Sequence, residues 1–161
     1  MEQGTAYSCG LACFSKGTTM NIRWMIRRDL QSVMLIEQIS QLQPWSEDEM
    51  LNHLRVRNCI GMVAEEGDEI DGYMLYMLHK SELEVIRFSA LDDRAAMAML
   101  NKLQSKLCQQ RRSSFSMCIP ETEVGTLDML CEQGMETCGI EWGAYGYVDG
   151  VKLRYERWQE A

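Results

Sequence analysis

The most reactive side chains in this sequence are seven cysteines, accompanied by only two histidines, His53 and His79. The cysteines stand at positions 9, 13, 59, 108, 118, 131 and 138, with no C-x-x-C pair and no histidine at metal-ligand spacing. This pattern favours neither a zinc site nor a Cys-His nucleophilic pair. An odd number of scattered thiols is typical of free cysteines in a reducing compartment, so we expect a cytoplasmic protein that binds no metal.

Length and charge limit the functional classes further. The 161 residues, 46% of them hydrophobic, are enough for one core, and apolar periodicity begins at Met20. We expect a single domain over residues 20–161 and a flexible extension over residues 1–19 without the features of a signal peptide. The net charge of −8 disfavours nucleic acid and anionic membranes as partners. A basic or neutral protein partner, or a homodimer formed through the final strands, is compatible with this charge.

The domain opens with a strand and a helix. Apolar and polar residues alternate over residues 22–26, which indicates a short, partly buried strand. An apolar stripe at helical spacing then runs from Leu30 towards Leu42, with Asp29 as its predicted N-terminal cap. Pro44 ends this helix, because the residue before a proline disfavours helical backbone.

A capping box begins the second helix. Ser46 and Glu49 are spaced so that each side chain can accept a hydrogen bond from the backbone N–H of the other, and Trp45 precedes them as a hydrophobic staple. This helix is expected to end near Arg55. Three strands of an antiparallel meander follow, over residues 59–64, 70–78 and 82–90.

The second half of the domain begins with a change to helical periodicity. Apolar residues recur at three and four positions through Met97 to Leu107, which predicts a long helix capped by Asp92 and ended by Arg111-Arg112. We then expect a strand over residues 113–119, a helix over 124–132 and two strands over 137–147 and 151–158. Asp149-Gly150 is the predicted hairpin turn between these last strands.

Short sequence signatures accompany this order of elements. They are Ile36-Glu37-Gln38, Pro44-Trp45-Ser46-Glu47, Gly72 at the start of a strand after an acidic turn, and Gln133-Gly134-Met135 after the last short helix. With the element order, these residues resemble the GNAT acetyltransferases, and in particular the ribosomal-protein-alanine N-acetyltransferases. The resemblance covers nearly the whole domain. It implies an α/β (α+β) fold in which about four helices flank a mixed, mostly antiparallel sheet.

The resemblance implies acetyl-CoA as cofactor, with its pyrophosphate held by a glycine-containing loop that opens the long helix. The corresponding residues here are Phe88, Ser89, Ala90, Arg94, Ala95 and Ala96. No glycine occurs between Tyr73 and Val124, so this backbone lacks the freedom for close contact with phosphate. Asp92 and Asp93 also stand at the helix end. We therefore expect binding of acetyl-CoA to be weak or absent.

The same resemblance assigns positions for proton transfer. The base of the family falls at Cys118, a thiol that would be mostly protonated at neutral pH in an apolar strand, and we interpret it as a packed core cysteine. The acid of the family falls at Leu130, which transfers no proton. An active enzyme would need substitutes, with Glu121 or Glu123 as base and Tyr145, Tyr147 or Tyr155 reaching the centre from the final hairpin.

The helices that contact the acceptor in this family keep their signature. The resemblance implies that Glu37, Trp45 and Glu49 line a peptide-binding groove, with Glu37 pairing a free α-ammonium group. The fold itself is an equally good explanation, because the packing and capping of these helices could require the same residues.

Two functions follow from these expectations. The first is a GNAT-fold pseudoenzyme with weak or lost acetyl transfer that binds a protein or peptide N-terminus. The alternative is an active N-acetyltransferase that moves acetyl from acetyl-CoA to a protein α-amino group. That enzyme would hold the cofactor through Ser89, Arg94 and Lys102.

Overall fold

The structure, a computed structural model, describes residues 19–158. The first half contains β1 (Asn21–Trp24), a 3₁₀ turn (Arg27–Asp29), α1 (Leu30–Ser40), α2 (Glu47–Leu54), β2 (Cys59–Glu66), β3 (Glu69–Leu78) and β4 (Glu82–Ala90). The second half contains α3 (Asp93–Ser105), β5 (Ser114–Pro120), α4 (Val124–Glu132), β6 (Glu136–Tyr145) and β7 (Val148–Glu156). The order of helices and strands is the predicted one. The predicted N-terminal extension lies outside the described residues, apart from Thr19.

The seven strands form one sheet in the order β1-β2-β3-β4-β5-β7-β6. Neighbouring strands are antiparallel, except that β4 and β5 run parallel because α3 returns the chain across the sheet between them. This mixed, mostly antiparallel sheet with four α-helices confirms the predicted fold class.

Apolar side chains form a separate cluster on each face of the sheet. Neighbouring residues of β2 and β3 alternate between the two clusters, so that Met62 and Met74 belong to one whereas Val63 and Leu75 belong to the other. The first cluster includes residues of α3 and α4, and the second includes residues of α1 and α2. The sheet is therefore the middle layer between two pairs of helices. No helix within residues 19–158 combines the length and apolar character needed to cross a membrane.

The N-termini of α1 and α2 are stabilised differently. At α2 the predicted capping box is present: Ser46 Oγ accepts a hydrogen bond from the Glu49 N–H at 3.2 Å, and Glu49 Oε2 accepts one from the Ser46 N–H at 2.8 Å. The prediction for α1 is wrong, because the Asp29 side chain does not cap that helix. Its carboxylate accepts hydrogen bonds from the Ile26 N–H at 2.8 Å and from Arg23 at 2.7 and 2.8 Å. Asp29 thus fixes the turn before the helix.

The helix α3 ends earlier than predicted. It stops at Ser105, and the N–H groups of Lys106 and Leu107 donate to carbonyls three residues back, which tightens the chain into a turn. Leu107 is still buried, so the apolar periodicity continues past the end of the helix. Arg112 does not end the helix; its Nε donates a hydrogen bond to the His79 carbonyl.

The final hairpin turns at Gly146-Tyr147, so the prediction of a turn at Asp149-Gly150 is wrong. Gly143 and Gly146 have φ angles of 63° and 75°, in the left-handed region that glycine adopts without strain. Gly150 instead lies buried in β7, where a Cβ atom would collide with the Cys118 Sγ atom. Close packing, and not chain reversal, therefore requires glycine at this position.

Candidate functional site

A cleft opens where β4 and β5 separate. The strands pair from Glu82 opposite Ser114 to Val85 opposite Met117, and their described residues beyond that point are not paired with each other. Met97, predicted in the apolar stripe of α3, is exposed and does not line this space, whereas Met117 does. The volume of about 580 Å³ is within the range of about 300–1,000 Å³ typical of small-molecule sites. We call this space the larger cleft; its walls include residues 85–93, 117–120 and 122–126.

The N-terminus of α3, at the larger cleft, is capped by a carboxylate. Asp92 Oδ1 accepts a hydrogen bond from the Ala95 N–H at 2.8 Å, which confirms the predicted cap. Asp92 and Asp93 both line the cleft. Arg94 is 61% exposed and forms an ion pair with Glu66 at 3.2 Å. The charged side chains on the wall at this helix end are therefore acidic.

The predicted cofactor residues fall into two groups. Those on the walls of the larger cleft are Phe88, Ser89, Ala90 and Ala96. Arg94 and Ala95 are not on these walls. Ser89 is buried, and its Oγ accepts a hydrogen bond from Gln41 Nε2 at 2.7 Å. This bond uses a lone pair of Ser89 Oγ, so the hydroxyl hydrogen can still be donated.

A smaller cleft of about 410 Å³ adjoins the larger one. Its walls are Gln43, Pro44, Trp45, Glu49, Ile86, Arg87, Cys118, Glu141, Ala144 and Tyr145. The residues common to both clefts are Ile86, Arg87, Cys118 and Tyr145. The two clefts therefore meet at these side chains. Trp45 and Glu49, two of the three predicted substrate-binding residues, lie on the walls of the smaller cleft.

The third predicted substrate-binding residue, Glu37, is fully buried and is not on the walls of either cleft. Its Oε1 accepts a hydrogen bond from the Trp45 N–H at 3.0 Å and lies 3.3 Å from Arg87 Nη2. Burial raises the pKa of the Glu37 carboxyl group, whereas the Trp45 hydrogen bond and the Arg87 charge lower it. Glu37 thus holds the cleft wall together and is not placed to pair with an α-ammonium group.

Arg87 joins β4 to the segment before α2. Its guanidinium donates hydrogen bonds to the Gln43 carbonyl at 2.9 Å and to Gln41 Oε1 at 3.3 Å. The guanidinium carbon lies 4.0 Å from the centre of the Trp45 ring, and the His53 ring stacks on Trp45 at a centroid distance of 4.0 Å. Burial lowers the pKa of Arg87, and the Glu37 charge raises it. Trp45 is therefore fixed by contacts from both β4 and α2.

Cys118, Tyr145 and Glu141 lie together at the junction of the clefts. The Tyr145 hydroxyl donates a hydrogen bond to the Cys118 carbonyl at 2.9 Å. Burial raises the pKa of the Cys118 thiol, a hydrogen bond with Tyr145 lowers it, and the Glu141 carboxylate raises it. Burial also raises the pKa of Tyr145, and Cys118 adds to this effect. Both groups are therefore protonated at neutral pH, so neither is ready to act as a base.

The remaining predicted site residues bring no further group to this junction. Leu130 is fully buried in the core. Glu123 precedes α4 and lines the larger cleft but not the smaller one. Glu121 is exposed and is on the walls of neither cleft; its N–H donates to the Asp149 carbonyl at 2.9 Å.

Sequence reasoning missed two residues of the site, Arg87 and Glu141. Arg87 is the single basic residue of β4, and an isolated charge in a largely apolar strand is a signal for it. Glu141 has no such signal, because Ile140 and Trp142 beside it are exposed as well. Within residues 19–158, no group of three or more His, Cys, Asp or Glu side chains is arranged to hold a metal ion.

Known proteins resemble this chain in structure and not in sequence. No protein-family model matches the sequence, and no curated protein matches it. Ard1 from Thermoplasma volcanium has a TM-score of 0.77 at 15% identity, over 88% of this chain and 99% of that chain. The ribosomal-protein-S18-alanine N-acetyltransferase from Escherichia coli has a TM-score of 0.71 at 11% identity, over 88% and 96%. Arabidopsis thaliana NAA60, in complex with a bisubstrate analogue, has a TM-score of 0.72 at 10% identity, over 86% and 98%.

These likenesses establish the fold. The chain has the GNAT fold found in N-acetyltransferases, including ribosomal-protein-alanine N-acetyltransferases, and the predicted resemblance is confirmed at that level.

Proposed function

We propose that this GNAT-fold protein binds the free N-terminus of a peptide or protein in the smaller cleft, and that its acetyl transfer is weak or lost. The observation that carries the proposal is the capped end of α3. Asp92 Oδ1 accepts a hydrogen bond from the Ala95 N–H at 2.8 Å, so a donor that a pyrophosphate would use is already engaged.

The residues at this end do not fit the pyrophosphate of acetyl-CoA. Asp92 and Asp93 line the cleft, and a like charge ~4 Å away would be repelled by as much as ~4 kcal/mol at an effective dielectric of ~20. Attraction between the helix dipole and the phosphate would offset only ~0.3–1 kcal/mol of this repulsion. Arg94, the nearest basic residue in sequence, is paired with Glu66. Electrostatics therefore oppose the phosphate groups even though the cleft is large enough for a ligand.

The two positions that the resemblance assigns to proton transfer also lack suitable groups. Cys118 is protonated at neutral pH because burial raises its pKa, and Leu130 has no ionisable group. An ammonium group bound here would have Glu141 as the one carboxylate beside Cys118 that could accept its proton, because the family position itself supplies none. This supports weak or lost transfer.

The smaller cleft favours a cationic ligand. Two carboxylates, Glu49 and Glu141, lie on its walls, while the single cation, Arg87, is paired with the buried Glu37. A positively charged α-ammonium group complements this charge. The protein from Escherichia coli named above acts on an alanine of ribosomal protein S18, so a peptide that begins with alanine is a suitable probe.

Thermal unfolding in the presence of acetyl-CoA tests the cofactor part of the proposal. A ligand at 100 times its Kd stabilises a protein by about 2.7 kcal/mol, which is a rise in Tm of about 5–10 °C for a chain of this size. We expect no rise at millimolar acetyl-CoA for the wild type. Asp92→Ser retains a capping hydroxyl but removes the charge, and it should give a measurable rise.

Asp128→Ser is the matched control, because it removes an exposed carboxylate of α4 that does not line the cleft. It should behave as the wild type. A clear rise in Tm for the wild type would contradict the loss of cofactor binding. Equal behaviour of Asp92→Ser and Asp128→Ser would show that Asp92 is not the cause.

Calorimetric titration tests the binding part of the proposal. We expect a hexapeptide with a free N-terminal alanine to bind, and its N-acetylated twin to bind much more weakly because it has no ammonium charge. Equal affinities for the two peptides would contradict recognition of the N-terminus.

The second candidate function is an active N-acetyltransferase. It is favoured by the open separation of β4 and β5 and by the Tyr145 hydroxyl at the junction of the clefts. The sequence suggested Ser89, Arg94 and Lys102 as the residues that would hold acetyl-CoA, and of these Ser89 alone lies on the walls of the larger cleft. Mass spectrometry of the alanine hexapeptide after incubation with acetyl-CoA separates the two functions. Product formed by the wild type and lost in Tyr145→Phe would support the enzyme.

A further inference from the structure

The carboxylates on the wall of the smaller cleft and in the core behind it have different surroundings. Glu37, which the sequence suggested as the partner of an α-ammonium group, is fully buried and bonded to Trp45 and Arg87. Glu49 lies on the cleft wall, but its Oε2 accepts the Ser46 N–H at 2.8 Å in the capping box of α2. Both carboxylates therefore already serve the fold.

Glu141 differs from both of these residues. It is exposed, it lies on the wall of the smaller cleft, and no ion pair joins it to another residue in the described part of the chain. Its carboxylate is hydrogen-bonded to the Cys118 thiol, where the two clefts meet, and this neutral contact leaves its charge without a cationic partner. A carboxylate in this position is open to a ligand and close to the place where a reacting group would have to lie.

The neighbours of Glu141 suit a group with several N–H donors. The Tyr145 hydroxyl gives its proton to the Cys118 carbonyl at 2.9 Å, so its oxygen keeps lone pairs that can accept a hydrogen bond. Ala144, Pro44 and the Trp45 ring add apolar surface to the same cleft. A primary ammonium group on a short apolar residue matches this combination of one charged acceptor, one neutral acceptor and apolar contacts.

We propose that the Glu141 carboxylate binds the primary ammonium group of the ligand in the smaller cleft. This inference rests on the proposed function and names the residue that carries it. Glu141 recognises the charge of the ligand, and the Tyr145 hydroxyl oxygen orients the ammonium group towards the junction with the larger cleft.

The test compares Glu141→Gln with Glu136→Gln in calorimetric titrations of the alanine hexapeptide and its N-acetylated twin. Glu136 is an exposed carboxylate of the same strand that is on the walls of neither cleft, so its variant controls for the change in net charge. We expect Glu141→Gln to weaken binding of the free peptide by about 10- to 100-fold, the range for loss of one charge-assisted hydrogen bond. Glu136→Gln should bind as the wild type does, and Glu141→Asp should recover part of the affinity.

The outcomes separate this inference from the function on which it rests. If the wild type binds the free peptide and Glu141→Gln binds it equally well, the role of Glu141 is refuted while N-terminus binding stands. Equal losses in the two Gln variants would also refute it, because the effect would then be one of overall charge. If the wild type does not bind the free peptide at all, the proposed function fails and the inference fails with it.

Discussion

Replacing Arg87 by methionine should destabilise the protein strongly, because it leaves Glu37 as a buried carboxylate without its cation. The variant loses the ion pair at 3.3 Å, the hydrogen bond to the Gln43 carbonyl at 2.9 Å and the contact with the Trp45 ring at 4.0 Å. Methionine keeps a flexible side chain that can fill much of the space. The loss is therefore mainly electrostatic and not a matter of volume.

The expected magnitude follows from the burial of both partners. The Glu37 side chain is 0% exposed and that of Arg87 is 9% exposed. Removal of one partner from such a pair costs about 3–5 kcal/mol. At about 2–4 °C per kcal/mol for a chain of this size, Tm should fall by about 6–20 °C.

The destabilisation should depend on pH in a defined direction. Burial raises the pKa of Glu37, and Arg87 opposes this effect, so the pKa is higher still when Arg87 is absent. A carboxyl group whose folded-state pKa lies above its unfolded-state value stabilises the fold at low pH, and that contribution is lost as the pH rises through the folded-state pKa. The loss of stability caused by Arg87→Met should therefore be largest at neutral pH. It should become smaller as the pH falls towards about 4.3, the pKa of a glutamate in the unfolded state.

Urea unfolding of a double-mutant cycle provides the assay. Glu37→Gln keeps an oxygen that can accept the Trp45 N–H but removes the charge, so the double variant should be more stable than Arg87→Met alone. Measurements at pH 7 and pH 5 test the pH dependence. If the two single effects add to within about 0.5 kcal/mol, or if Arg87→Met costs the same at both pH values, the reasoning is refuted.

Three further predictions concern packing, an ion pair and the junction of the clefts. Gly150→Ala should lower the free energy of unfolding by about 1–3 kcal/mol because its Cβ atom meets the Cys118 Sγ atom, whereas Gly139→Ala, with its nearest contact at 3.9 Å, should have a much smaller effect in the same urea assay. Asp29→Asn should cost about 1.5–3 kcal/mol at pH 7, since it weakens charged hydrogen bonds to a buried carboxylate. Because Arg23 lowers the pKa of Asp29, this contribution is present above the unfolded-state value of about 3.9 and is lost as the pH falls through the lower folded-state pKa, so an undiminished cost at pH 2 would contradict it. Glu141→Gln should lower the pKa of Cys118 and speed its alkylation at pH 8, measured by mass spectrometry of the labelled peptide; an unchanged rate would show that the two side chains do not interact.

Elements with local signals at both ends were predicted well from the sequence. The helix α4 spans Val124–Glu132, as predicted, and is followed by Gly134 at a φ of 93°, which ends it. The end of α3 was predicted poorly, because Leu107 is buried by tertiary packing after the helix has stopped. The hairpin turn was wrongly predicted at Asp149-Gly150 for a similar reason. Close contacts from β5 and β6, and not a turn, require the glycine.

The site was predicted in part. The Asp92 cap is a local interaction over three residues, and the sequence contains all the information needed for it. Glu37 and Arg87 are 50 positions apart in number and become partners only when α1 packs on β4. Glu141 lies opposite Gly150 of β7, and Gly150 lies opposite Pro120 of β5, so Glu141 comes to Cys118 only when the three strands pair. No spacing rule in a single sequence predicts such long-range contacts.

The shared wall between the two clefts has a thermodynamic consequence. Arg87 belongs to both clefts, and it holds Gln43 and the Trp45 ring on one side while it is anchored in β4 on the other. A ligand that shifts this side chain from either cleft must change the affinity of the other cleft, and linkage requires the factor to be the same in both directions. For a ligand that does so, occupation of one cleft would be measured as a change in the Kd of the other.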